Sequence, residues 1–149
     1  SGHIAATRLR TQTVPIVLAV QDTTYLNWEH HPATQGLGRL SDAGRGIICH
    51  STLAVTPERL PLGLLAQRNW VRDDKTFGTL PSHKKRPLED KESVKWLDSV
   101  EALSLAREAS PETCFISVGD READVFELFA MKRLRSGLQQ FSFRARYCC

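Results

Sequence analysis

"CFISVGDREADVFEL", residues 114–128, changes character at its middle. Its first five residues form a short apolar run and read as a buried strand. Asp120 follows almost at once. Arg121, Glu122 and Asp124 then crowd charge into the first turn of a helix expected over 121–135, where acidic groups suit the positive end of the dipole. Val125, Leu128, Phe129 and Lys132 mark the inner face of that helix, and Gly137 is a good residue to end it. A strand that closes on an acid and passes directly into a helix belongs to an α/β sheet. Its neighbours must come from upstream.

Residues 15–20, "PIVLAV", form a short β-branched run and predict the first strand. It runs straight into Gln21, Asp22, Thr23 and Thr24. Residues 29–46 are rich in His, Pro, Gly, Ser and Asp and read as a loop. Residues 46–55 predict a second strand, 57–59 a hairpin turn, and 62–70 a third strand, so the three form an antiparallel meander. Residues 72–90 are polar and broken by Gly78, Pro81 and Pro87. Their basic cluster, Lys84, Lys85 and Arg86, reads as part of a solvated loop or as a contact for a polyanion. A helix is expected over 91–109, capped by Asp90, with Val94, Leu97, Val100 and Leu103 as its stripe and Trp96 on the flank. Strict alternation over 141–146 predicts a fifth strand.

The order is βββαβαβ, an α/β arrangement with a mixed sheet and helices on its faces. The helix before residue 114 should return the chain parallel to an earlier strand. If that strand is the first, Asp22 and Asp120 stand side by side at the carboxyl ends of parallel strands, where open α/β sheets place their sites. Two carboxylates held close repel unless a cation joins them. Mg²⁺ or Mn²⁺ is the natural partner for such oxygen donors. The residues alone leave two readings of Asp120 open, a helix cap or one member of a metal-binding pair.

The composition sets the frame. The chain has 149 residues, 41% hydrophobic and 25% charged, which suits one soluble domain. Its net charge of +3 permits nucleic-acid binding without requiring it. No apolar run approaches a membrane span, and no secretory leader is visible at the start. Residues 1–13 read as a lead-in whose first three residues are a cloning scar, and 14–149 as the domain. Cys49 and Cys114 sit in apolar runs and read as buried free thiols, and the spacing of the four cysteines fits no zinc pattern. The abrupt end at Cys148–Cys149 suggests a longer protein. His30 and His31 point in different directions on either a helix or a strand and are set aside as a metal pair.

Five words then occur in order: "VQDTT" (20–24), "GRGIICHSTLAV" (44–55), "LPLGLLAQRNWVR" (60–72), "DKESVKW" (90–96) and "VGDREAD" (118–124). Together they resemble the catalytic core of the DDE transposases of bacterial insertion sequences, in the cut-and-paste branch that carries DREAD and YREK signatures. The resemblance covers about residues 14–147. It implies a ribonuclease-H-like fold, incomplete at the C-terminus, and metal-dependent cleavage and strand transfer at transposon ends. It implies that Asp22 and Asp120 are catalytic and hold Mg²⁺ or Mn²⁺. The family's third acid lies in a Y-x2-R-x3-E-x6-K pattern on a later helix, and that pattern is absent here. Residues 1–149 alone are therefore expected to be inactive or nearly so.

Arg144 and Arg146 share one face of the fifth strand, which could be an ordinary solvent face. The resemblance implies contact with DNA, as it does a transposon end and a target as partners, a homodimer in the synaptic complex, and a cytoplasmic, nucleoid-associated home with no membrane. Arg121 could pair with a carboxylate or a phosphate. Arg45 and His50 are possible neighbours of the site. Two rival readings stand beside this one. A non-catalytic fragment could bind DNA or a full-length transposase as an inhibitor. Another ribonuclease-H-like nuclease could find its third acid in Glu122 or Asp124.

Overall fold

The computed structural model describes residues 2–31, 33–41, 44–73 and 94–119. These form α1 (Gly2–Thr11), β1 (Ile16–Asn27), β2 (Gly38–Arg39), β3 (Arg45–Val55), β4 (Pro61–Trp70), α2 (Val94–Ala109) and β5 (Cys114–Val118). The chain is α/β, with a mixed open sheet. β1 and β3 pair antiparallel from Leu18↔Val55 to Asn27↔Gly46, and β3 and β4 pair antiparallel from Ile48↔Trp70 to Val55↔Pro61. The short β2 pairs with the start of β3. On its other side β1 pairs parallel with β5, from Ile16↔Cys114 to Val20↔Val118. The antiparallel meander is present, and the strand that returns after α2 lies beside the first.

The sheet face toward α2 carries the core. Val17, Ala19, Ala54, Leu62, Leu65 and Phe115 pack there with Leu103 and Ala106 of α2. Strand residues alternate between faces, so this set also places Gln21, Thr23, His50 and Thr52 on the α2 side. Asp22, Thr24, Ser51 and Cys49 lie on the opposite side.

Several expectations change. β1 does not stop at residue 20 but continues through the "DTT" word to Asn27, because Thr and Tyr suit a strand and β3 is long enough to pair them. The expected loop 29–46 contains β2 and the first residues of β3. There Gly46 is required: a Cβ would collide with the Leu26 carbonyl oxygen across the ladder. The buried stripe of α2 is rotated from the expected one. Lys95, Trp96, Ser99, Val100, Leu103, Ser104 and Ala106 are buried, while Val94 and Leu97 are only half-buried. The rotation follows from polar partners under the helix, described below, which an apolar periodicity cannot register.

The lead-in carries a helix that the sequence reading does not expect. Residues 2–11 are helix α1, packed on β4 and tied to the end of α2. Arg10 Nε donates to the Leu62 carbonyl at 2.5 Å, Thr11 and Ser110 share a hydroxyl contact at 3.3 Å, and Gln12 Nε2 donates to the Ala109 carbonyl at 3.0 Å. Gly63, at φ 131°, brings β4 against Thr7, where a side chain would have no room. Cys49 is a buried thiol, and Cys114 is only half-buried. No helix among the described residues is long and apolar enough to cross a membrane. The loop 74–90, the helix expected over 121–135 and the strand expected over 141–146 lie outside the described residues.

Candidate functional site

The parallel ladder between β1 and β5 positions the site. It ends on the pair Val20↔Val118. Asp22 is two residues beyond Val20, and Asp120 is two residues beyond Val118. Asp120 itself lies outside the described residues, as do Arg121, Arg144 and Arg146. Asp22 is exposed on the face away from α2. Across the ladder it faces Ser51 of β3, at a cross-strand spacing of roughly 4.5–5.5 Å between Cα atoms. Ser51 is joined by the Gln67 amide, which donates to Ser51 Oγ at 3.3 Å and to Cys49 Sγ at 3.2 Å. The surroundings of Asp22 thus offer oxygen donors and a carboxamide.

Behind Asp22, on the α2 face, is a buried polar cluster. Lys95 Nζ donates to Thr23 Oγ1 at 2.9 Å, and Thr23 Oγ1 contacts His50 Nδ1 at 3.0 Å. An ammonium can only donate, so Thr23 Oγ1 is the acceptor in its bond with Lys95. The Thr23–His50 contact runs in either direction, according to the His50 tautomer. The Trp96 ring meets His50 edge-on, with centroids 4.6 Å apart and planes at 73°, and Lys95 Nζ lies 5.4 Å from the Trp96 centroid. Next to this cluster, Gln21 Nε2 donates to Ser117 Oγ at 2.7 Å, and Thr52 Oγ1 donates to Ser99 Oγ at 2.8 Å. Ser99 Oγ in turn donates to the Lys95 carbonyl at 3.1 Å.

The "DTT" word thus has divided roles. Thr23 is fixed from below by a cation on α2. Alternation then obliges Asp22 and Thr24 to face the other way. Residues from four of the five sequence words meet in this region: Gln21 and Thr23, His50 and Thr52, Lys95 and Trp96, and Val118 beside Val20.

Neither Arg45 nor His50 is the cross-strand partner of Asp22. His50 is on the opposite face, and Arg45 is six residues from Ser51 along β3. His31 lines a cavity at the far end of β1 with Trp28 and Arg45. Sequence reasoning missed the contact of the buried Lys95 with the half-buried Thr23. The only available signal was a lysine inside a helix beside the tryptophan of "DKESVKW".

Among the described residues no group of three or more His, Cys, Asp or Glu side chains could hold a metal ion. One acid of the expected pair lies among them, and its hard, exposed carboxylate suits Mg²⁺ or Mn²⁺. No family model matches the chain.

Proposed function

We propose that the chain is the N-terminal part of a DDE transposase catalytic core of ribonuclease-H-like fold, acting on transposon-end and target DNA. The observation that carries this is the β1–β5 register, which sets Val20 against Val118 two residues ahead of Asp22 and Asp120. The meander, the helix and the parallel return beside β1 are the order that the resemblance implies. The meeting of the sequence words under Asp22 supports the same reading.

In this reading Asp22 and Asp120 hold Mg²⁺ or Mn²⁺. A bound divalent ion would supply activation of water and neutralisation of charge on the transferring phosphoryl group. Lys95 and Thr23 keep the strand from rotating, so that the Asp22 carboxylate stays on the open face. Arg121, Arg144 and Arg146 would meet phosphates, which positions DNA without reading its sequence. A cytoplasmic, nucleoid-associated location and a homodimeric synaptic complex belong to the same proposal. Residues 1–149 contain no Y-x2-R-x3-E-x6-K pattern, so they should bind the ion and DNA but not cleave.

The test is Mn²⁺ titration by electron paramagnetic resonance. Asp22→Asn and Asp120→Asn should each weaken binding by about tenfold or more, as removal of one of two shared carboxylates does. Glu122→Gln should leave it unchanged. Equal affinity in all variants refutes the paired site. A loss in Glu122→Gln equal to that in Asp120→Asn favours a different ribonuclease-H-like nuclease.

A further inference from the structure

Beyond the end of β1 the chain folds back around a cavity of about 450 Å³. Trp28, Glu29, His31, Thr34, Gln35 and Arg45 are among its lining residues. The walls are held by the backbone. Trp28 N donates to the Arg45 carbonyl at 2.9 Å, His31 N to the Trp28 carbonyl at 2.9 Å, and Thr34 N to the His31 carbonyl at 3.0 Å. Glu29 N donates to Asn27 Oδ1 at 2.8 Å, and Arg45 Nη2 donates to the Leu37 carbonyl at 2.9 Å. The cavity is therefore pre-formed rather than a gap between loose side chains.

Its chemistry narrows the ligand. The half-buried Trp28 indole offers a flat aromatic face, and the Arg45 guanidinium is a second planar group. Thr34, Gln35 and His31 supply donors and acceptors, and the Glu29 carboxylate accepts N–H groups only. A carboxylate in the wall disfavours a phosphate. It suits a flat, uncharged heterocycle whose edge carries amino and carbonyl groups, which describes a nucleobase.

The position fits as well. Alternation from Asp22 through Thr24 and Leu26 puts Trp28 on the Asp22 face of the sheet. Alternation from Ser51 through Cys49 and Ile47 does the same for Arg45. Trp28 is six residues beyond Asp22, about 20 Å at roughly 3.3 Å per strand residue. Stacked bases rise about 3.4 Å each, so this span is about six nucleotides.

We propose that this cavity binds one unpaired nucleobase, stacked on Trp28, from a DNA strand whose backbone runs past Asp22. The base must be unpaired, because a base inside a duplex has both faces stacked and its edge engaged. The inference rests on the reading of the chain as a DNA-handling protein, but the cavity can be tested apart from it.

The test uses residues 1–149 and the emission of Trp28, isolated by comparison with Trp28→Phe and Trp28→Ala. Three ligands are titrated: a twelve-nucleotide single strand, a strand of equal length with every base removed, and adenosine alone. The normal strand should quench Trp28 and bind about tenfold tighter than the abasic strand, within the usual range for one base on an aromatic ring. Trp28→Ala should lose that preference yet keep its affinity for the abasic strand. Trp28→Phe should restore part of the preference, which excludes a folding defect. Adenosine at millimolar concentration should quench the wild type. Equal binding of the two strands by the wild type overturns the inference and leaves DNA binding standing. Quenching by adenosine without binding of either strand leaves the cavity standing and removes the DNA reading. Absence of both overturns both.

Discussion

Thr23→Val tests the arrangement under the site, because it changes shape little and removes one hydroxyl. That hydroxyl is the acceptor for Lys95 Nζ at 2.9 Å and the partner of His50 Nδ1 at 3.0 Å. Lys95 is 6% exposed and His50 2% exposed, while Thr23 itself is half-buried, so water replaces the lost hydroxyl only in part. A hydrogen bond to a charged donor contributes about 1.5–3 kcal/mol and a neutral one about 0.5–1.5 kcal/mol. Some of the loss is recovered by burying a methyl group, which leaves an expected cost of about 2–3 kcal/mol. For a chain of this length that lowers Tm by about 4–12 °C. Thr24→Val is the internal control. Thr24 is the next residue but exposed on the other face, and its cost should stay within about 0.5 kcal/mol. The assay is urea unfolding of both variants at one pH, with the m-value checked for constancy. A double-mutant cycle with Lys95→Met should show coupling of about 1–2 kcal/mol. Equal costs for Thr23→Val and Thr24→Val, or no coupling, would refute the claim that α2 anchors "DTT" through Lys95.

Leu103 is 1% exposed in the core and Leu105 is 44% exposed. Leu103→Ala should therefore cost about 2–4 kcal/mol and Leu105→Ala under about 0.5 kcal/mol in the same urea assay, and a reversal would show that α2 presents another face. The Glu58 carboxyl is held below its ordinary value near 4.5, first by the Thr56 hydroxyl and then by its own backbone N–H. A lowered folded value means that this interaction is present above the ordinary value and is lost as pH falls through the lowered one. In Thr56→Ala the Glu58 titration followed by NMR should move up toward the ordinary value, and an unmoved titration would show that the turn does not hold the charge.

Much of the sheet was legible because apolar β-branched runs signal strands whatever surrounds them. The runs at 46–55 and 62–70 and the strand at 114–118 match β3, β4 and β5 to within a residue. The sequence reading ends β1 seven residues short, because the Gln, Asp and two Thr that follow Val20 interrupt the apolar signature and pair only where a long β3 offers them a ladder. α1 was missed for a related reason. Its buried residues are Thr7 and Thr11, and its attachments are hydrogen bonds to Leu62 and Ser110 from elsewhere in the chain.

The candidate site divides along the same line. The acid at position 22, the charged start after position 119 and the words around them are properties of the sequence alone. Local patterns also predict that a helix separates β4 from β5. Which strand β5 would join was decided only by packing, because a parallel pairing between residues about a hundred positions apart leaves no local trace. Packing also turned Lys95 inward, against the apolar stripe, where the half-buried Thr23 hydroxyl accepts from it. Short-range periodicity reports what a segment prefers. The tertiary structure decided which polar groups had to be satisfied together, and so on which face Asp22 was left.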